Sequence, residues 1–345
     1  MIIPIILDTT FKQIGMIDDY SSLIWTSRYY QCGDFEIVVP IDSSHIDLLQ
    51  KDFYVIRDDD ENAGIIEDIQ IERNEDQKEQ MIVKGRFLPS ILGRRIIATQ
   101  TQLYGTVSAG VTNLINDAII NPSIPARKIE NFTIRAVAFP ERLDAQFTGK
   151  NLLTVIEDIC QASHIGFKTV LRDNKFYFGL YKGVDRSYGQ SKNPWVVFSD
   201  EYDNLLSSTY VQTSSSQITD VLVAGEGEGL DRKMLWVSKD NQAGLSRYEL
   251  FHDQRNLSTN DGNVSDEEYK KQMTEEGLEQ ITTITQVFDG TVYFNNIKFR
   301  ENVYLGDIVV IENKKWGIYI NSRLIEVIES VDEAGVYQIL PTFGV

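Results

Sequence analysis

Two short strands joined by a glycine turn are predicted within residues 22–39, which read SLIWTSRYYQCGDFEIVV. Aromatic and β-branched side chains dominate Ser22–Tyr30 and Phe35–Val39, as is typical of strands. Gly33 and Asp34 stand between them as turn residues. The pattern favours an antiparallel pair inside a strand-rich region.

Short predicted strands continue on both sides of this pair. Ile69 and Ile71 alternate with Gln70 and Glu72, which is the period of a half-buried antiparallel strand. One short helix is expected at Ser44–Lys51. Further strands are predicted at Ile2–Leu7, Phe11–Ile14, Phe53–Arg57, Gly64–Glu72 and Gln80–Arg86. Strands this short and this frequent predict a closed or sandwiched β-domain over residues 1–98.

The middle third changes to a mixture of helices and strands. Apolar residues recur at helical spacing in Val107–Ile120 and in Lys150–Ser163. Gly166–Arg172 and Lys175–Tyr181 then read as two strands joined by a two-residue turn. We therefore expect an α+β domain over residues 99–200.

The last third is strand-rich again and carries a helical insertion at about 262–284. Ser265 and Glu268 form a capping box that starts a mostly polar helix. A helix this polar lies on a surface or contacts a neighbouring subunit. Its sparse apolar positions are the candidate contact residues, namely Tyr269, Met273, Leu278 and Ile281. The surrounding strands predict a second β-domain over residues 201–345.

Arg94 and Arg95 are a second candidate contact. They form a small basic cluster with Arg86, without the interleaved aromatic residues of a nucleic-acid platform. We expect them to bridge to an acidic surface of a neighbouring domain or subunit.

Composition excludes several classes of protein. The 345 residues include 51 acidic and 33 basic side chains, a net charge of −18, which opposes tight binding to phosphate backbones. The two cysteines, Cys32 and Cys160, are too few for a disulfide scaffold, so we expect free buried thiols. No apolar run approaches the roughly 20 residues of a membrane helix, and no membrane anchor is expected.

Three motifs resemble ligand-binding sites, but each is better explained as a structural element without a ligand. The acidic run 58–64 has Ala63 and Ile69 where a calcium loop needs glycine and glutamate, so it predicts an acidic hairpin tip. The glycine-rich run 225–229 contains two glutamates and no lysine, which predicts a β–β loop. Cys160 and His164 have metal-ligand spacing but no partner pair. We predict no catalytic residue, metal or cofactor.

Five segments taken together resemble a known family. They occur in the order and spacing of the ReqiPepy-type tail proteins of siphophages, relatives of the tail-tip hub, and the matches span residues 24–344. The segments are Ser27–Ile37, Gly64–Ile69, Val83–Ile97, Tyr304–Val309 and Pro341–Gly344.

The resemblance implies a β-rich α+β fold in which two β-barrel-like hub domains flank the α+β domain. It implies a non-enzymatic baseplate or tail-tip hub in a virion tail or phage-tail-like particle, assembled in the cytoplasm of the bacterial host. Such a hub is a homotrimer that joins the tail tube and distal tail proteins to a spike, fibre or lysin. DNA passes through the ring without specific binding.

Two alternatives stay open at this point. A phage carbohydrate-binding or cell-wall-hydrolysing module would use a pair of carboxylates, and the many acidic residues single out no pair. A hexameric distal tail ring protein differs from the hub mainly in its number of copies.

Overall fold

The protein is described by a computed structural model that covers residues 2–73, 79–259, 264–292 and 297–344, with the backbone alone at 206 and 285–292. The chain divides into two compact units. Unit 1 comprises Met1–Ser208 and Phe288–Val345, and unit 2 comprises Thr209–Val287. The division predicted from the sequence, at 98 and 200, remains a prediction.

Strands dominate the described residues. They are β1 Ile5–Leu7, β2 Gln13–Met16, β3 Ser22–Arg28, β4 Asp34–Pro40, β5 Tyr54–Arg57, β6 Asp60–Arg73, β7 Glu79–Phe87, β8 Thr101–Thr106, β9 Phe132–Arg135, β10 Arg142–Phe147, β11 Gly166–Arg172, β12 Lys175–Tyr181, β13 Val197–Ser199, β14 Leu205–Thr213, β15 Asp220–Ala224, β16 Met234–Ser238, β17 Glu249–Asp253, β18 Thr285–Val292, β19 Ile308–Asn313, β20 Ile318–Val331 and β21 Tyr337–Gly344. The α-helices are α1 Ser43–Leu48, α2 Val107–Ile115, α3 Leu152–Ala162 and α4 Asp266–Gln280. The predicted β-rich α+β class is confirmed.

One large sheet organises the strands, in the order β14-β18-β21-β20-β3-β4-β7-β6-β11-β12-β9, with β1, β2, β5, β13 and β19 attached at its sides. Most pairs are antiparallel, including the predicted β3–β4 pair, in which Trp25 lies opposite Phe35. Among the described residues this order does not close on itself, and no closed barrel is found there.

The middle of the chain confirms the local predictions. The π-turn Asn116–Ile120 continues α2, and Asn151 caps α3 by accepting from two backbone amides. β11 and β12 pair over their full length through the two-residue turn Asp173–Asn174. Both turn residues have positive φ, 48° and 58°, which is the geometry that a two-residue hairpin requires.

The large aromatic residues of the opening stretch form the centre of the unit 1 core. Trp25, Tyr29 and Phe35 are almost completely buried, and each such side chain contributes about 1.5–3 kcal/mol of hydrophobic stabilisation. Phe35 also explains Gly85, which lies inside β7. A Cβ at Gly85 would lie 2.7 Å from the Phe35 ring and 1.9 Å from the Ile65 carbonyl oxygen.

The outer half of β6 corrects one prediction. Ile69 and Ile71, expected on a buried face, are 37% and 55% exposed. Their neighbours on β7, Val83 and Met81, are buried. β5 pairs with β6 as far as Ile65, and Ile66 still bonds the backbone of Asp52 and Phe53. Beyond Ile66, β6 is an edge strand with no partner on its outer side among the described residues.

Glu329 on β20 is a buried carboxylate held between two arginines. Its side chain is 1% exposed and accepts from Arg57 at 3.1 and 3.3 Å. Arg300 donates to both of its oxygens, and the Tyr337 hydroxyl donates at 2.7 Å. Burial raises the pKa of Glu329, but the Arg300 hydrogen bond and the Arg57 charge outweigh burial and lower this pKa.

The acidic hairpin tip extends this ion network. Asp59 accepts two hydrogen bonds from Arg57, at 2.7 and 2.9 Å. Asp60 accepts from Arg300 and from the indole of Trp25, both at 2.7 Å. The tip lies between β5 and β6 as predicted, yet Asp59 and Asp60 are paired with arginines and are not simply hydrated.

The Glu329→Gln variant is expected to lose about 3–5 kcal/mol of unfolding free energy at neutral pH, because the buried Arg57 and the partly buried Arg300 lose their shared anion. The ionised carboxylate contributes fully above the ordinary glutamate pKa of about 4.3, and its contribution disappears as the pH falls through the lowered folded-state value. Urea unfolding followed by tryptophan fluorescence should show the gap closing on acidification. A gap of equal size at all pH values, or an equal loss in Glu333→Gln on the exposed turn, would contradict this account.

Both thiols are buried and free, as predicted. Burial raises the pKa of Cys32 and of Cys160 to about 12. The native chain should therefore stay unmodified by iodoacetamide at mildly alkaline pH, whereas the urea-unfolded chain takes up a label at each cysteine. Intact-mass spectrometry checks this, and rapid labelling of the native chain would show that the thiols are accessible.

Candidate assembly surfaces

Unit 2 is built around the three-stranded sheet β16-β15-β17. One face of this sheet is covered by α4, which places Tyr269 and Met273 against Val221, Val223 and Val237. The helix starts as predicted, with the Ser265 hydroxyl accepting from the Glu268 amide at 3.2 Å.

The predicted contact residues on α4 divide into two groups. Tyr269 and Met273 are 2% exposed, and the Tyr269 hydroxyl bonds the Glu226 amide and the Leu257 carbonyl. These two side chains therefore hold α4 on its own sheet. Ile281 packs partly against the same cluster, and Leu278 is 45% exposed. A partner contact through α4 remains a proposal, and Leu278 is the side chain available for it.

The sheet face opposite α4 carries a set of exposed apolar side chains among the described residues. We call Leu222, Met234, Trp236 and Phe251 the open face. Leu222 on the central strand lies opposite both Trp236 and Phe251, which flank it on β16 and β17. Trp236 and Phe251 are each about half exposed.

Two arginines lie over the aromatic rings of the open face. Arg247 lies over the Trp236 ring and pairs with Asp220 and Glu249. Arg232 lies over the Phe251 ring.

Arg232 is also fixed by acceptors in its own unit. It pairs with Asp253 and donates to the carbonyls of Ala224 and Gly225. The aromatic rings are thus presented in fixed orientations.

A short repeated motif ends at each of these two arginines, and the sequence analysis did not identify it. Gly229–Arg232 reads GLDR and Gly244–Arg247 reads GLSR. Each forms a 3-10 turn that begins at a glycine with positive φ, and the two leucines, Leu230 and Leu245, are fully exposed. The repeated motif is the signal that could have marked both ends of this face.

The glycine-rich run 225–229 is a β–β loop, as predicted. The Glu226 carboxylate accepts from the Thr259 amide at 2.6 Å and from its hydroxyl at 2.7 Å. These bonds lower the pKa of Glu226 to about 2. The glutamate therefore serves as an anchor for its own loop.

Unit 1 carries a separate exposed aromatic cluster, which we call the aromatic ladder: Tyr188, Trp195 and Tyr319. The Tyr188 ring stacks on Tyr319 with centroids 5.5 Å apart and meets Trp195 edge-on at 5.2 Å. The three side chains are 38%, 58% and 48% exposed. The Trp195 indole donates to the Gln190 carbonyl, which fixes its orientation.

Arg94 and Arg95 lie at the end of the 3-10 helix Leu88–Arg94 in unit 1. Arg95 donates to the backbone carbonyls of Arg127 and Arg94, both at 2.9 Å. Arg94 is exposed and reaches Asp52 of its own unit at 3.9 Å. Their contact with another subunit remains a proposal.

Possible metal ligands converge at one place among the described residues, where Asp19, Asp42 and His45 come together. The contacts there are accounted for without an ion. Asp42 caps α1 by accepting from the His45 amide, and the His45 ring reaches the Pro40 carbonyl at 2.7 Å and Asp19 at 2.9 Å. In the part of the chain that the structure describes, no further metal ligands lie beside Cys160 and His164.

The family model of the Siphovirus ReqiPepy6 Gp37-like protein matches residues 3–345. The chain belongs to this family. It is therefore a phage tail protein, and its place is the tail of a virion or phage-like particle. Comparison with curated proteins finds no match. No helix of the described residues is long and apolar enough to cross a membrane.

Solved tail proteins share the fold at low sequence identity. A tail protein from Neisseria meningitidis MC58 is 14% identical with a TM-score of 0.59, covering 100% of this chain and 96% of its own. The 43 kDa tail protein of prophage MuSo2 from Shewanella oneidensis is 10% identical with a TM-score of 0.59, covering 99% and 98%. Prophage tail protein gp18 from Listeria monocytogenes EGD-e is 10% identical with a TM-score of 0.55, covering 100% and 94%.

The Met273→Ala variant of this tail protein is expected to destabilise unit 2 by about 2–5 kcal/mol, because it opens a cavity between α4 and its sheet. Leu278→Ala, on the exposed side of the same helix, should change stability by less than about 0.5 kcal/mol. Hydrogen exchange followed by mass spectrometry over residues 209–287 measures both. Equal effects of the two variants would show that α4 does not pack in this orientation.

Proposed function

We propose that this tail protein is the tail-tip or baseplate hub, a homotrimeric ring that joins the tail tube and distal tail proteins to a distal spike, fibre or lysin. The observation that supports it is the extent of the likeness. The family model spans residues 3–345, and three solved tail proteins each cover at least 99% of the chain. The likeness to tail proteins therefore extends over the whole chain and is not limited to one domain. Two β-barrel-like domains per subunit are part of the proposal.

Exposed aromatic surfaces support assembly into a ring. Clusters of exposed apolar and aromatic side chains mark interaction sites on soluble proteins, and the described residues include two such clusters, the open face and the aromatic ladder. The proposed role is structural and non-enzymatic. The net charge of −18 fits a ring through which DNA passes without adhering.

Light scattering on a sizing column, with negative-stain images of the peak, tests the proposal. We expect a mass near three times 39.4 kDa and ring-shaped particles. A mass of six copies would favour the hexameric distal tail ring protein over the trimeric hub. Release of sugars from host cell wall by the purified chain would favour the cell-wall-hydrolysing module over the hub. A strict monomer at all concentrations would contradict the proposed ring.

A further inference from the structure

The hairpin β11–β12 and the neighbouring strand β9 present positive charge on their outer face. Lys168 lies opposite Gly179, which lies opposite Arg135, so one row across the three strands carries two cations. Arg172 lies opposite Lys175 at the turn end of the same face. We call these four side chains the basic face: Arg135, Lys168, Arg172 and Lys175. The other face of the three strands packs into the core of unit 1.

The basic face keeps a positive charge after its own acidic neighbours are counted. Glu61 pairs with Lys168 and Arg172, and Asp173 lies in the hairpin turn. The other two cations are exposed and pair with no carboxylate in the part of the chain that the structure describes. Four cations and two anions leave a net charge of +2 at this place, on a chain whose net charge is −18.

Uncharged side chains lie between the two ends of the basic face. Val170 lies opposite Tyr177, which lies opposite Thr133. A cavity of about 450 Å³ opens over these three residues. Lys168 and Arg172 are four residues apart on one strand, so the two pairs of cations are roughly 13 Å apart.

The helix α4 of unit 2 presents negative charge on the side away from its own sheet. Its residues Glu268, Lys271, Glu275 and Leu278 recur at spacings of three and four, and all are exposed. We call these four residues the outward stripe. The whole helix contains six acidic and two basic residues.

Part of this negative charge has no basic neighbour. Lys271 lies 3.6 Å from Glu275, and Lys233 lies 3.9 Å from Asp266 in the first turn. Glu268 pairs with no basic residue among the described ranges. Three acidic residues in the first turn against one lysine leave the start of the helix negative.

From this complementarity we infer that the outward stripe of α4 in one copy docks on the basic face of a second copy. Glu268 and Glu275 are seven residues apart, which is roughly 10 Å along the helix. Their side chains therefore reach the two pairs of cations, and Lys271 between them lies over the uncharged middle of the face. The inference rests on the proposed ring and names the surfaces that close it.

A second copy is the occupant that the charges favour. A closed ring of identical chains needs a heterologous contact, in which each copy offers two different and complementary patches. Most surfaces of a chain with a net charge of −18 repel a second copy, whereas these two patches attract each other and orient the approach. Other acidic runs are partly neutralised within their own unit, since Asp60 pairs with Arg300 and Glu201 with Lys314.

Charge reversal on each surface tests the contact. Arg135→Glu with Lys175→Glu reverses the two unpaired cations, and Glu268→Lys with Glu275→Lys reverses the outward stripe. Each double variant should raise the dissociation constant of the assembly about tenfold at low salt, with a smaller effect at high salt. Sedimentation velocity over a range of protein concentrations measures the constant.

The four reversals combined in one chain provide the decisive variant. Opposite charges then face each other again, so the dissociation constant should return to within about threefold of wild type. Lys12→Glu with Lys51→Glu is the matched control. It changes the net charge as much as the first double variant, at exposed positions outside both surfaces, and should keep the wild-type constant.

Every outcome decides the contact. An unchanged constant in either double variant, or a fourfold variant no tighter than the double variants, would overturn it, and circular dichroism with thermal melting confirms that each variant is folded. A wild-type assembly that does not weaken with rising salt would overturn it without any variant. The hub is judged separately: a trimer unaffected by the reversals refutes this contact alone, a wild-type mass other than three copies refutes the hub, and a strict monomer refutes both.

Discussion

The buried carboxylate of Glu329 joins the two ends of the chain within unit 1. Glu329 on β20 is shared between Arg57, next to the β5–β6 turn, and Arg300, and it lies in register with Trp25 on β3. Residues 272 positions apart are thereby fixed to one another. Because the desolvation cost of each charge is met only when all partners are present, the beginning and the end of the chain are specified together.

Ion pairs and close packing also hold residues 22–39 against distant parts of unit 1. Arg28 pairs with Asp34 and with Glu326, so the residue before Tyr29 is joined to β20. Tyr29 itself is buried where Gly166 and Gly306 leave room for its ring. Gly306 has φ +92°, and a Cβ there would lie 2.3 Å from that ring. The family motif is thus a set of contacts between distant parts of unit 1.

Sequence reasoning succeeded where the cause was local. The turn Asp173–Asn174 and the Ser265 cap follow from residues within a few positions of one another. It failed where the cause was distant: nothing near Ile69 shows that the β5 partner ends. Alternation along β16 marks Trp236 and Val237 as opposite faces, but it does not say which face α4 covers. The open face was missed for that reason, and the sequence did not show that Met273 is buried in the core of its own unit.

The two connections between unit 1 and unit 2 bear on how this tail protein can evolve. β14 leads out of unit 1 and β18 leads back, and these two strands are neighbours in the large sheet. An inserted unit whose two ends are held side by side can be exchanged for another without rethreading its host. Related phages could thus retain the ion-paired frame while recombination replaces residues 209–287, so that the frame is inherited and the insert is free to diversify.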